Sequence, residues 1–321
     1  MSASFERIDY SLRPAKHAER RMLCDVFRRL RPFGRVEDYV YVGFGSVWFA
    51  DFSLFHRALG IRDMVSIEQQ VDAKLRIEDN KPFRIPVDYR KSTAVLPELD
   101  WTRKQFLWMD YDSTLDADML QDVRTVARRA TSGTALSVSV QCMRAPQIAD
   151  AQHDKAIGAL SALERFIALF GRDRVPPDTT EEDLHGWPYA LLSREMILQE
   201  IQAELAARNS IGPDEFYFKS ICDFEYVDGA KMTTVVGVFW EKNQSGLLED
   251  CHFEALDFLP NPPGVVRINV PKLTVREFRR LESQMPLNQG ANLNLGSIPA
   301  KEAAQFQEMY RFLPSFAVIE G

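Results

Sequence analysis

The stretch Asp110-Tyr-Asp112-Ser-Thr114 sets two carboxylates two residues apart at the close of an apolar run, Gln105-Phe-Leu-Trp-Met109. Carboxylates at a strand end can take a proton, hold a cation or act as nucleophile. Gly43-Phe44-Gly45-Ser46 follows a second apolar run, Val40-Tyr41-Val42. Neither glycine has a Cβ, so the backbone can turn tightly there and approach a ligand. Glu68 closes a third run, Met64-Val-Ser-Ile67, where a fixed carboxylate can accept both hydroxyl protons of a ribose. Arg13, Lys16, His17, Arg20 and Arg21 put positive charge on one side of a helical pattern over 13–31. That charge can hold an anion, although a solvated basic face is the plainer reading. Cys24, Cys142, Cys222 and Cys251 lack metal-ligand spacing and read as reduced core thiols, and no metal site is read from the sequence.

Alternating strand and helix patterns must position these groups. The apolar run ending at the glycine turn is followed by a helical pattern through Phe49, Phe52, Phe55 and Leu59, which Gly60 ends. A strand over 63–67 and a short helix through Val71, Leu75 and Ile77 come next. An irregular third strand follows over 83–99, where Pro86 cannot donate to a central ladder. The strand ending at Asp110 and Asp112 precedes a helix over 116–130, which Asp112 or Ser113 would cap. A strand over 135–141 then ends on Gln141. Five such alternations predict a parallel sheet with helices on both faces. Ala-rich helical patterns at 149–170 and 189–208 predict a helical insertion or lid over about 145–212, and His185-Gly-Trp-Pro188 within it either lines a pocket or packs as a loop. Strands over 216–226 and 232–240 flank Asp228-Gly229, a strong hairpin signal. Beyond 250 the patterns predict strands at 251–258 and 265–270, helices at 274–284 and 299–312, and a last apolar run at 316–319.

In this order the features resemble the class I S-adenosylmethionine (SAM)-dependent methyltransferases, over roughly residues 13–241. The first motif of that superfamily runs hydrophobic-hydrophobic-acid-hydrophobic-Gly-x-Gly; Tyr41 stands here in place of the acid. Trp48 stands where a dinucleotide fingerprint has its third glycine. The resemblance implies an α/β fold, a Rossmann-like methyltransferase sheet with a terminal antiparallel hairpin. It implies a methyltransferase-like domain over 1–248, including the helical insertion, and a C-terminal α+β appendage over 249–321. It implies SAM as cofactor, with Tyr41, Gly43, Phe44, Gly45 and Ser46 around its methionine and ribose, Glu68 on the ribose and Ser92 near adenine. Asp110 would face the sulfonium, Asp110 and Asp112 would form the catalytic pair with Asp112 as base, and Arg13, Lys16, Arg20, Tyr111 and Gln141 would hold the acceptor.

The fourth strand carries no Asn/Asp-Pro-Pro-Tyr signature, so an oxygen acceptor is preferred to the exocyclic amine of a nucleic acid, and the basic helix suggests an anionic one. Two alternatives stand beside this reading. One is a protein of the same fold that binds or senses a ligand without turnover. The other is a Mg²⁺-dependent phosphatase, because Asp110-x-Asp112-x-Thr114 also resembles the nucleophile motif of the haloacid-dehalogenase type.

With 321 residues, 45% of them hydrophobic, the chain can bury an extensive core, and its formal net charge of −7 offers no global field for nucleic acid. The predicted substrate is a small or nucleotide-like molecule, and a protein partner stays open. There is no apolar segment of membrane-spanning length and no signal-peptide pattern, so a cytoplasmic protein is expected.

Overall fold

A computed structural model describes residues 13–314 apart from Lys155, Ile157 and Gln289; the N-terminal segment and the apolar run at 316–319 lie outside the described residues. Helix α1 (Pro14–Arg29) opens with proline in its first turn, where the missing N–H costs nothing. Then come β1 (Val40–Gly43), α2 (Ala50–Leu59), β2 (Asp63–Ile67), α3 (Lys74–Asp79) and β3 (Val87–Asp88). Next are α4 (Ser92–Val95), β4 (Gln105–Thr114), α5 (Ala117–Arg129) and β5 (Ala135–Gln141). Helices α6 (Pro146–His153), α7 (Ala162–Phe170) and α8 (Gly186–Asn209) lead to the hairpin β6 (Phe216–Asp228) and β7 (Ala230–Glu241). The last elements are α9 (Ser245–Glu249), β8 (Val266–Ile268), α10 (Val275–Glu282) and α11 (Ala300–Met309).

The strands form one sheet in the order β3-β2-β1-β4-β5-β7-β6-β8. β1 lies parallel to both β2 and β4, and β4 parallel to β5, while β7 is antiparallel to β5 and β6. Leaving β1, the chain winds outward through β2 and β3 and returns to β4 on the other side. The carboxyl ends of β1 and β4 therefore open a crevice at the reversal point. Successive residues of β4 point to opposite faces: Phe106 and Trp108 join a core with α1, α2 and the C-terminal segment, and Leu107 and Met109 join one with α5, α7 and α8. Burial on both faces explains why the strand reads as an unbroken apolar run.

Some elements differ from the sequence reading. The turn after β1 runs to Phe49 before α2 begins, because Ser46 and Phe49 adopt left-handed conformations that hold the chain out of the helix. Asp116, rather than Asp112 or Ser113, caps α5, accepting from Met119 N at 2.8 Å, because β4 extends through Thr114. No strand forms over 251–258; Phe253, Leu256 and Phe258 pack from a turn of 3₁₀ helix onto the core. In the 145–212 segment, α8 lies on α5, β6 and β7, with Tyr189, Met196, Ile197 and Ile201 sharing a core with Val235 and Phe239. β8 pairs with β6 in parallel, and α10 begins with the capping box of Thr274 and Glu277. Among the described residues no helix is long and apolar enough to cross a membrane.

Candidate active site

The crevice at the carboxyl ends of β1, β2 and β4 holds a cavity of about 470 Å³. Its wall takes Phe44, Gly45 and Ser46 from the glycine turn, Glu68 from the end of β2, Ser92 from the start of α4, and Asp110, Tyr111 and Asp112 from β4. The structure thus brings together residues that are far apart in sequence and were singled out separately.

The two glycines serve the turn in a different way from the one expected. A Cβ on Gly43 would fall on the Tyr41 phenol oxygen, and one on Gly45 would strike the Phe49 ring and come within 2.7 Å of Ser66 Oγ. Each glycine makes room for an aromatic ring, and Gly45 N donates to Ser66 Oγ at 3.1 Å. Gly43 and Tyr41, expected beside the cofactor, do not line the cavity. Tyr41 is fully buried and its hydroxyl donates to the carboxylate of Asp51, in the first turn of α2. Position 41 thus carries no acid, and a carboxylate from α2, that of Asp51, lies at the tip of the Tyr41 ring. Asp51 borders the cavity, and burial raises its pKa above the ordinary aspartate value.

The basic helix divides into residues with different roles. Lys16 is 2% exposed; its Nζ contacts Asp110 Oδ1 at 2.5 Å, Glu19 Oε2 at 2.8 Å and the Tyr226 hydroxyl at 3.0 Å, and lies 4.3 Å from the Trp108 ring centre. Lys16, expected at the acceptor, is thus held by partners inside the protein and does not line the cavity. Arg13 precedes α1 away from the wall. Gln141, half-buried at the end of β5, pairs with Met232 and Thr114, so it is not a wall residue either. Arg20 does reach the cavity, 6% exposed, with its Nε buried and without a partner.

Asp122 on α5 was not singled out from the sequence. It is 1% exposed and borders the cavity; its Oδ2 accepts from Ser92 Oγ at 2.5 Å and from the Tyr111 hydroxyl at 2.7 Å, while its buried Oδ1 has no partner among the described residues. Burial pushes its pKa up to about 6, against the pull of those two donors. One signal for it was available: Asp122 interrupts the apolar stripe of Met119, Val123 and Val126 on α5. Glu68 accepts from Gln70 N at 2.9 Å, and burial raises its pKa, with the charge of Asp112 adding to the rise.

The wall is acidic. Asp51, Glu68, Asp110 and Asp112, with Asp116, Asp118 and Asp122 of α5, face three cations, Arg20, Arg90 and Lys91. Arg90 is paired with Asp88 and Glu98, and Lys91 with Asp118. This balance does not favour the anionic acceptor expected from the basic helix. Cys142 is buried, and burial pushes its thiol up to about 12, as suits a packing residue; the other three cysteines are buried and free as well.

A family described as "Putative O-methyltransferase" matches residues 8–321. The chain belongs to that family. That match bears out the methyltransferase reading, and the sheet order β3-β2-β1-β4-β5-β7-β6 bears out the expected Rossmann-like fold with a terminal antiparallel hairpin. No curated protein matches the chain significantly in sequence. Among solved structures, this O-methyltransferase family member is similar to the sugar N-methyltransferase KedS8 from a Streptoalloteichus species, at 15% identity over 39% of this chain and 49% of that one, TM-score 0.30. It is also similar to Trm1 from Pyrococcus horikoshii in complex with SAM (11% identity, 78% and 61% covered, TM-score 0.43). A third is a SAM-dependent methyltransferase from Clostridium acetobutylicum (8% identity, 73% and 93% covered, TM-score 0.39). The chain thus spans about half the length of KedS8.

Proposed function

We propose that the protein transfers a methyl group from SAM to a hydroxyl of a small neutral or cationic acceptor. The observation that carries this reading is the cavity at the β1/β4 reversal point. There the buried Asp122 presents an unpartnered carboxylate oxygen beside Ser92, and Glu68 stands at the end of β2. These acceptors suit an adenosine: Asp122 Oδ1 can accept from an exocyclic amine, and Glu68 from ribose hydroxyls. The Gly45–Ser46 turn and Phe44 would flank the ribose and methionine. Bound SAM supplies an electrophilic methyl group on a sulfonium.

The protein's part is orientation and proton transfer. Methyl transfer is an in-line displacement, so most of the rate gain comes from holding the acceptor oxygen in line at the cavity mouth. Asp112, exposed at that mouth, would take the hydroxyl proton as the oxygen attacks, and Tyr111, held by Asp122, would shape the acceptor side. Asp110, paired with Lys16, would set the potential around the reacting centre. The acidic wall supports an acceptor without negative charge.

Calorimetric titration of SAM into the wild type and Glu68→Ala tests the cofactor assignment, and transfer of labelled methyl to panels of neutral, cationic and anionic alcohols tests the acceptor. Saturable SAM binding weakened at least tenfold in Glu68→Ala is expected, with methyl recovered in ether linkage. Wild-type affinity in Glu68→Ala, or transfer confined to amines or to anionic alcohols, would count against the assignment.

A further inference from the structure

Among the charged residues on the buried side of α1, Arg20 alone lacks a settled environment. Lys16 is held by Asp110, Glu19 and Tyr226, and Glu19 also accepts from the hydroxyls of Tyr226 and Thr234. One turn on from Lys16, Arg20 borders the cavity at 6% exposure and, among the described residues, has no hydrogen bond and no ion pair, with Nε fully enclosed. Asp51 lies near enough for the two charges to act on each other, but without contact. A guanidinium offers five N–H donors, and burying it unpaired is costly. Such a group facing a cavity calls for an anion inside the cavity.

Around the cavity, the charges of Arg20 and Asp110 both act on Asp51, that of Asp112 acts on Glu68, and those of Asp116 and Asp118 act on Asp122. Among the described wall residues, Arg20 is the cation without a carboxylate partner, and it acts on Asp51, as Asp110 does, whereas Asp122 feels Asp116 and Asp118. A guanidinium beside carboxylates is the complement of an α-amino acid, whose carboxylate and ammonium need one group of each sign.

Resting on the reading of SAM as methyl donor, we propose that Arg20 receives a carboxylate, that of the donor's methionine end, and so makes the enzyme selective for SAM over its decarboxylated analogue. The alternative source of the same chemistry is a carboxylate on the acceptor. Arg20 is then a specificity residue, while Lys16, four residues earlier on the same helix, is structural.

The test is calorimetric titration of the full chain with SAM and with decarboxylated SAM, for the wild type, Arg20→Met and Arg20→Lys, with melting of each ligand-free protein alongside. Wild type should bind SAM on the order of 10- to 100-fold more tightly than the decarboxylated compound, the range expected for a charge-assisted bidentate pair. In Arg20→Met that ratio should collapse towards one through loss of SAM affinity, with binding of the decarboxylated compound nearly unchanged. Arg20→Lys should fall between, since it keeps the charge without the fork. The ligand-free Arg20→Met protein should melt no lower than the wild type, because an unpaired buried charge has been removed.

A wild-type ratio retained in Arg20→Met overturns the proposal. So does equal loss of both ligands together with a lowered melting temperature, which would make Arg20 structural. A wild-type ratio near one, with Arg20→Met weakening only anionic acceptors, moves the carboxylate to the acceptor and overturns the donor assignment. Absence of binding by either compound to the wild type removes the cofactor reading, and this proposal with it.

Discussion

Replacing Asp122 by Asn should stabilise the protein above pH 6 and do less so in acid. Asp122 is 1% exposed, and burial lifts its pKa from 3.8 to about 6 despite hydrogen bonds from Ser92 and Tyr111. A carboxyl whose folded pKa is raised binds more protons folded than unfolded between the two values, so stability falls as pH rises through that window. The favourable contribution is complete below about pH 4 and is lost once the pH passes about 6. At about 1.4 kcal/mol per unit, the loss reaches roughly 3 kcal/mol, about half of it between pH 5 and 7.5. Asn keeps a carbonyl acceptor in the same place and does not titrate. Urea unfolding of the wild type and Asp122→Asn at pH 5, 6 and 7.5 therefore isolates this group, because every other titration is common to both. The stability difference should move in favour of the variant by about 1.5 kcal/mol from pH 5 to 7.5. A difference that is flat with pH, or that shifts towards the wild type as pH rises, would refute the burial argument.

Lys16→Met should cost about 3–5 kcal/mol, because it leaves Glu19 and Asp110 without their buried counter-charge; chemical denaturation reads this directly, and a neutral result would return Lys16 to the list of ligand contacts. Gly45→Ala should destabilise by roughly 1–3 kcal/mol, since the new methyl meets Phe49 and Ser66, and a thermal melt showing wild-type stability would mean the turn can relax. Tyr41→Phe should lose about 1–3 kcal/mol by leaving the Asp51 carboxylate without its phenol donor. That loss should shrink as the pH falls far enough to protonate Asp51, which unfolding at acid and neutral pH can compare.

The strand and helix alternation, the hairpin at Asp228-Gly229, the Thr274/Glu277 capping box, Glu68 just past β2 and Asp110 and Asp112 in the carboxyl half of β4 were legible in the chain alone. Each depends on residues close in sequence: periodicity of two or 3.6, a turn dipeptide, an apolar run that stops at a charge. The partnerships inside the site depend on residues far apart, and no local pattern records them. Lys16 meets Asp110, Asp122 of α5 takes Ser92 of α4, and Asp51 of α2 accepts from the Tyr41 hydroxyl. The same holds for α8, whose Ala-rich helical pattern read as part of an insertion or lid and which packs on α5, β6 and β7. Local chemistry thus determined which elements form and what chemistry their ends carry. Which charges are spent inside the protein, as on Lys16, and which face the cavity unpaired, as on Arg20, was decided only when packing across the sheet brought distant side chains into one low-dielectric space.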